Sequence, residues 1–143
     1  MLRKSILVIA DQHAPYHHPD TLDFLAAIKR KYKPDCIVNI GDELDWHSIS
    51  FHDKHPGLYG ASHELTVARQ FFTKLHKMFP KMYLLDSNHG SLVFRKATRH
   101  GLPHEVFKTY NEMLGVGPGW TWHEDLILKA SNGQQIYFCH GKY

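Results

Sequence analysis

The sequence predicts an α/β fold that begins with parallel β-α-β units and ends in an antiparallel hairpin. Three observations indicate this class: short apolar runs alternate with amphipathic stretches, proline or glycine separates them, and an Asn-Gly pair lies near the C-terminus. A strand, a crossover helix and a second strand form the unit from which parallel sheets are built. In sheets of this kind, ligands are bound at the carboxyl ends of the strands.

The first half of the chain supplies the strands and crossover helices in order. Residues 4–10 predict a buried strand because they are few, apolar and rich in β-branched side chains. A helix is expected over about 20–32, followed by a second strand over 35–40. A polar and aromatic loop over 43–61 leads into a helix over about 62–78, whose apolar side chains share one face. A loop this long inside a compact domain is usually functional.

The second half is predicted to contain a third strand, two shorter helices and the hairpin. The strand covers 81–86, and the two helices cover 91–99 and 103–114. A glycine-rich turn follows these helices and leads to residues in which apolar side chains alternate. The Asn-Gly pair favours a tight turn between strands over 124–130 and 134–139.

The composition is that of an ordinary globular chain, and its 143 residues are enough for one domain over 1–143 with a core. A net charge of +3 is too small to indicate nucleic acid, which stays an open alternative as a partner. The longest apolar runs are far too short to span a membrane, and no signal peptide is visible. Cys36 and Cys139 lie in apolar runs, as expected of buried free thiols in a reducing cytoplasm.

Four polar clusters follow the predicted strands, and together they predict a metal site. Asp11 and His13 come after the first strand, two residues apart, so their side chains point the same way in an extended chain. Asp42 follows the second strand and Asn88 follows the third, while His140 follows the last strand of the hairpin. Mixed oxygen and nitrogen ligands suit Mn, Fe, Zn, Ni or Co rather than Ca or Mg.

Each cluster alone has a simpler interpretation. An aspartate after a strand commonly caps a helix, Asn-His-Gly is commonly a turn, and a single histidine is commonly a partly buried residue with its hydrogen bonds satisfied. The joint placement favours metal binding, because ligands in α/β sheets gather where the strands end.

The order and spacing of these clusters resemble those of the calcineurin-like metallophosphoesterases. The matching residues are Asp11-x-His13, Gly41-Asp42-x-x-Asp45, Asn88-His89 and His140-Gly141. The resemblance implies a β-sandwich of mixed sheets flanked by helices, and a phosphoesterase with two divalent transition-metal ions, Mn being the one expected. It implies Asp11 and His13 on one ion, Asn88 and His140 on the other, and Asp42 bridging both.

The activity implied by the resemblance is hydrolysis of a phosphomonoester or phosphodiester by a hydroxide that bridges the two ions. His89 would protonate the leaving oxygen or stabilise the transition state. Asp45 stands where protein phosphatases carry the carboxylate that orients this histidine. Arg95 and Arg99 are four residues apart on one face of a predicted helix, within reach of a substrate phosphate, although a solvated helix face is the simpler explanation.

The chain departs from the family pattern at three points. Ser87 and Gly90 stand where the third block usually has glycine and an acidic residue, and Trp46 stands where protein phosphatases have arginine. The final Gly-His-x-His block is absent from residues 1–143, so we expect a domain that is incomplete at its C-terminus and lacks its last strands. A non-catalytic metal- or phosphate-binding module and a DNA or RNA nuclease of the same superfamily are the alternative functions.

Overall fold

Four parallel strands form the central sheet of the computed structural model, which describes residues 4–141. They lie side by side in chain order, as β1 (Ile6–Ile9), β2 (Cys36–Asn39), β3 (Met82–Leu85) and β4 (Trp120–His123). A separate antiparallel pair, β5 (Leu126–Lys129) and β6 (Gln135–Phe138), forms the hairpin expected around the Asn-Gly turn. The predicted α/β class, with its parallel beginning and antiparallel end, is confirmed.

Helices connect the successive strands of the sheet. They are α1 (Thr21–Tyr32), α2 (Ala61–Met78), α3 (Leu92–Arg99) and α4 (Tyr110–Leu114), of which the last two lie between β3 and β4. The predicted helices before the third strand agree with α1 and α2 to within one residue at each end. The long loop between β2 and α2 contains a 3-10 turn at His47–Ile49. Within residues 4–141, no helix is long and apolar enough to cross a membrane.

The single helix predicted over 103–114 is wrong. The chain forms a 3-10 turn at His104–Val106, becomes extended at Phe107 and starts α4 only after Thr109. The Thr109 hydroxyl accepts from the Glu112 N–H, and the Glu112 carboxylate accepts from the Thr109 N–H. This reciprocal capping satisfies two N–H groups at a helix start, so the helix begins at that point and no earlier.

Successive residues of a strand point to opposite faces of the sheet, so the core consists of two clusters, one on each face. One face packs against α1 and α2 in an apolar cluster that includes Ile9, Leu25, Ile37, Phe72, Leu84 and Trp120. The opposite face packs against the hairpin through a second cluster that includes Val38, Leu85 and Phe138. Because the sheet is held between these two layers, the points at which β1, β2 and β3 end have defined positions.

Candidate metal centre

The predicted ligands meet at one end of the sheet, just beyond the last residues of β1, β2 and β3. The backbone pairing of β1 with β2 continues beyond the ends of these strands, into the residues that follow them. The His13 N–H donates to the Asp42 carbonyl over 2.9 Å, and the Ala14 N–H donates to the Glu43 carbonyl over 2.8 Å. The main chain therefore holds the His13 imidazole beside the Asp42 carboxylate.

Left-handed backbone conformations are concentrated at this end of the sheet. Asp11, His13 and Asp42 have φ angles of 54°, 47° and 53°, and Trp46 in the following loop has a φ of 52°. Such angles in non-glycine residues cost about 1–3 kcal/mol each and persist mainly where function requires them. The strained backbone is therefore an independent sign that these residues form a functional site.

Asp42 lies between two histidines that approach from different elements. Its Oδ2 lies 3.8 Å from His13 Nε2, and its Oδ1 lies 3.4 Å from His140 Nε2. The Asp42 side chain is buried, and its Oδ1 also accepts a hydrogen bond from the backbone N–H of His89. Each carboxylate oxygen thus faces a different imidazole, which suits a carboxylate shared by two cations.

Both of these histidines have their other ring nitrogen engaged by a protein acceptor. His13 Nδ1 lies 2.9 Å from Asp45 Oδ1, and His140 Nδ1 lies 2.8 Å from the carbonyl oxygen of Ile40. An imidazole that donates its Nδ1–H in this way keeps the Nε2 lone pair for a metal ion, and metal-binding histidines almost always have such a partner. The two imidazoles are therefore oriented for metal binding through Nε2.

Asp11 and Asn88 complete the group of predicted metal ligands, and the His89 imidazole lies beside them. Asp11 Oδ1 lies 4.0 Å from His13 Nε2, and Asn88 Oδ1 lies 2.6 Å from His140 Nε2. The ligand atoms of His13, Asp42 and His89 all lie within 4.8 Å of one another. This set of carboxylate, amide and imidazole donors fits divalent transition-metal ions.

Asp45 contacts two site histidines through different groups. Its carboxylate contacts His13 Nδ1, whereas its backbone carbonyl oxygen contacts His89 Nδ1. The carboxylate lies 3.9 Å from His89 Nδ1. The structure therefore places the carboxylate closest to His13, while the resemblance to protein phosphatases predicted that it orients His89.

Glu43, which sequence reasoning did not single out, is buried directly beneath the site. Within residues 4–141, neither of its carboxylate oxygens accepts a hydrogen bond from another residue. The carboxylate packs under Gly90, where an added Cβ would lie 2.7 Å from Oε1. Burial raises the pKa of Glu43 to about 7, because the charged form is disfavoured away from water. No local signal distinguishes such a residue from an exposed loop glutamate.

Ser87 explains one of the departures from the family pattern. Its hydroxyl oxygen accepts from the Asp42 N–H over 2.9 Å and from the Gly90 N–H over 3.1 Å. A glycine, the usual residue here, has no side chain to make these bonds, so Ser87 adds a direct link between the second and third blocks. Trp46, which replaces an arginine of the protein phosphatases, is buried in the larger apolar cluster.

The two predicted substrate-binding arginines lie on α3, which follows the third block. Arg95 Nη1 donates to the backbone carbonyl of Asn88 over 2.8 Å, so its guanidinium group lies next to a predicted ligand. The Arg99 guanidinium lies one helical turn further along and stacks near Phe51 of the long loop. Both side chains are exposed.

A comparison with protein families matches residues 4–143 to the calcineurin-like phosphoesterases. The chain belongs to the calcineurin-like phosphoesterase family. The resemblance carried by the four polar blocks is therefore confirmed. A comparison with curated proteins gives no match. As a calcineurin-like phosphoesterase, the chain has the domain of a metal-dependent hydrolase that acts on phosphate esters.

Asp45→Asn in this calcineurin-like phosphoesterase should weaken metal binding. Asparagine keeps the shape of the side chain but loses the negative charge that orients His13 and strengthens its Nε2 as a donor. Orienting groups of this kind are typically worth about 10–100-fold in metal affinity. Calorimetric titration of the metal-free protein with Mn²⁺ measures the change.

Asp53→Asn provides the matched control for this titration, because Asp53 is an exposed residue of the same loop. It should bind Mn²⁺ as tightly as the unchanged protein. Equal affinities for Asp45→Asn and Asp53→Asn would show that the carboxylate of Asp45 does not support the metal centre.

Proposed function

We propose that this protein is a phosphoesterase that uses two divalent metal ions to hydrolyse a phosphomonoester or a phosphodiester. The observation that carries the proposal is the position of Asp42, whose two oxygens face His13 Nε2 at 3.8 Å and His140 Nε2 at 3.4 Å. A carboxylate between two imidazoles suits a shared ligand of neighbouring cations. Asp11 would join His13 on one ion, Asn88 would join His140 on the other, and Mn²⁺ is the metal expected.

When bound, two such ions would supply Lewis acidity, lowering the pKa of a water molecule and neutralising charge on the phosphoryl oxygens. The chain itself supplies proton transfer and orientation. His89 has its Nδ1 against the Asp45 carbonyl oxygen, which leaves Nε2 as the free atom that gives a proton to the leaving oxygen. Arg95, held at the carbonyl of Asn88, is placed to bind a non-bridging phosphate oxygen, and Arg99 extends the same positive face.

Hydrolysis of nitrophenyl phosphate esters tests this proposal. The purified protein should release nitrophenolate in the presence of Mn²⁺, lose the activity in EDTA and regain it when Mn²⁺ is restored. A comparison of the mono- and bis-nitrophenyl esters would separate a monoesterase from a diesterase. Absence of release with every one of Mn²⁺, Fe²⁺, Zn²⁺, Ni²⁺ and Co²⁺ would contradict the proposal and favour a non-catalytic metal- or phosphate-binding module.

We also propose that the protein works in the cytoplasm. Cys36 and Cys139 are both thiols rather than halves of a disulfide, with Cys36 buried and Cys139 partly buried. Cysteines that remain as thiols are usual in a reducing compartment, where disulfides rarely persist.

A further inference from the structure

Three cations of one helix lie close to the same aromatic ring, beside the metal centre. The charged ends of Arg95, Lys96 and Arg99 lie 5.4, 4.6 and 4.0 Å from the centre of the Phe51 ring. The cations come from consecutive turns of α3, and the ring comes from the long loop that follows β2. Phe51 is 39% exposed, so the group lies at the surface. We call these four residues the α3 cationic cluster.

A structural role alone does not account for this cluster. A cation–π contact at an exposed site is worth about 0.5–1 kcal/mol, and one cation is enough to make it. Three like charges around one ring repel one another, because the screening length at physiological salt is about 8 Å. An anion bound among them would turn this repulsion into attraction.

The cations of the cluster are not held in ion pairs within the part of the chain that the structure describes. Among residues 4–141, no ion pair joins a carboxylate to Arg95, Lys96 or Arg99. Arg95, Lys96 and Arg99 therefore carry their charges without a carboxylate partner among those residues. Their positive charge is available to a ligand.

Arg95 connects the cluster to the metal centre. Its Nη1 donates to the Asn88 carbonyl oxygen over 2.8 Å, and the side-chain oxygen of Asn88 lies 2.6 Å from His140 Nε2. The cationic cluster thus begins at a residue of the metal centre and runs outward along α3. If the reacting phosphoryl group of a substrate lies at the metals, the next phosphoryl group of the same substrate lies beside these cations.

We propose that Lys96 and Arg99 of the α3 cationic cluster bind a second phosphoryl group of the substrate, which is adjacent to the hydrolysed group held beside Arg95 and is not itself cleaved. The proposal rests on the proposed phosphoesterase function and narrows it to substrates with at least two phosphoryl groups. One guanidinium group can bind two oxygens of a phosphate at once and can also stack on an aromatic ring. The lysine ammonium group adds a compact positive charge. A nucleoside polyphosphate and a polynucleotide strand are the two sources of this chemistry.

The double variant Lys96→Gln/Arg99→Gln tests the proposal by kinetics. It removes two charges of the cluster and leaves the bond between Arg95 and Asn88 in place. In the full chain with Mn²⁺, kcat/KM for adenosine tetraphosphate or octathymidylate should fall at least about 10-fold more than kcat/KM for nitrophenyl phosphate, as the loss of charged hydrogen bonds to phosphate predicts. A fall of the same factor for all three substrates would overturn the proposal.

Lys74→Gln/Lys77→Gln is the matched control, since it removes two exposed cations at the same spacing from α2. In this control, the ratio of kcat/KM for adenosine tetraphosphate or octathymidylate to kcat/KM for nitrophenyl phosphate should equal that of the unchanged protein. Circular dichroism and thermal unfolding establish that both double variants keep the fold. An equal shift of the ratio in both would show that net charge, and not the cluster, is responsible.

Equilibrium binding separates failure of this proposal from failure of the proposed activity. Fluorescence polarisation of labelled octathymidylate, with adenosine tetraphosphate as competitor, requires no turnover. Binding of either ligand that is lost in Lys96→Gln/Arg99→Gln and kept in the control supports the cluster, even if no ester is hydrolysed. The ligand that binds identifies the source of the phosphoryl group. Equal binding by both double variants, or none by the unchanged protein, would overturn the proposal.

Discussion

Asp42→Asn should reduce the Mn²⁺-dependent hydrolysis of nitrophenyl phosphate by roughly a thousandfold or more, at the upper end of what one preorganised group contributes to a rate. Asparagine replaces one of the two carboxylate oxygens with an NH₂ group, which has no lone pair to offer a cation. The ion that would be held by one of the facing histidines, His13 at 3.8 Å or His140 at 3.4 Å, then loses the carboxylate oxygen that Asp42 would give it. The negative charge of the side chain is also lost from a buried position.

Metal content and kinetics together measure this effect. The metal-to-protein ratio, determined after dialysis against Mn²⁺, should fall in Asp42→Asn along with kcat/KM. Asp20→Asn, an exposed aspartate just before α1, is the control and should change neither quantity. Full activity in Asp42→Asn would exclude a bridging role for this carboxylate.

The residues that follow the strands are the part of the site that sequence reasoning predicts best. Parallel strands end at the same edge, and side chains two apart in an extended chain point the same way. The first rule brings Asp11, His13, Asp42 and Asn88 to one end of the sheet, where the structure has them. The second rule does not apply, because Asp11 and His13 have left-handed φ angles of 54° and 47° and are not extended. His140 follows the hairpin and not the parallel sheet, so its approach to Asn88 depends on the packing of the hairpin against the sheet.

Contacts made by the loops could not be predicted in the same way. The resemblance to protein phosphatases predicts that the Asp45 carboxylate orients His89, whereas in the structure the Asp45 N–H donates to the Ala14 carbonyl over 3.0 Å. This bond continues the β1–β2 pairing into the loop and brings the carboxylate to His13. The burial of Glu43 has a similar origin, because the turn that ends at Gly90 covers it only in the folded chain.

The observed secondary structure differs from the predicted one at two places, for different reasons: the helix predicted over 103–114 starts later, and β4 is not among the predicted strands. The Thr-x-x-Glu capping pattern of Thr109 and Glu112 is present in the sequence and could have corrected the helix predicted over 103–114. By contrast, no local pattern separates β4 from the hairpin that follows, since apolar residues alternate through both. β4 is defined by its parallel pairing with β3, which joins Met82 to Trp120 across a long sequence separation.

Gly41→Ala should lower the free energy of unfolding of the metal-free protein by about 3 kcal/mol or more, from an unfavourable φ angle and steric overlap together. Gly41 has a φ of 111°, and an added Cβ would lie 2.5 Å from Ser87 Cβ and 2.7 Å from His140 Nδ1. Neither neighbour moves without cost. The Ser87 hydroxyl accepts from the Asp42 N–H, and His140 Nδ1 is bonded to the carbonyl oxygen of Ile40.

Gly133→Ala separates the two contributions, because Gly133 has a φ of 87° but no atom within 4 Å of an added Cβ. Urea unfolding of both variants should show the larger loss of unfolding free energy in Gly41→Ala. The difference between the two losses measures the cost of the steric overlap. The overlap also pushes the His140 imidazole away from Asp42, so Mn²⁺ affinity should fall in Gly41→Ala and stay unchanged in Gly133→Ala. Equal losses of stability with unchanged Mn²⁺ affinity would mean that Ser87 and His140 shift freely around a methyl group, and that the close packing at Gly41 does not position the metal ligand.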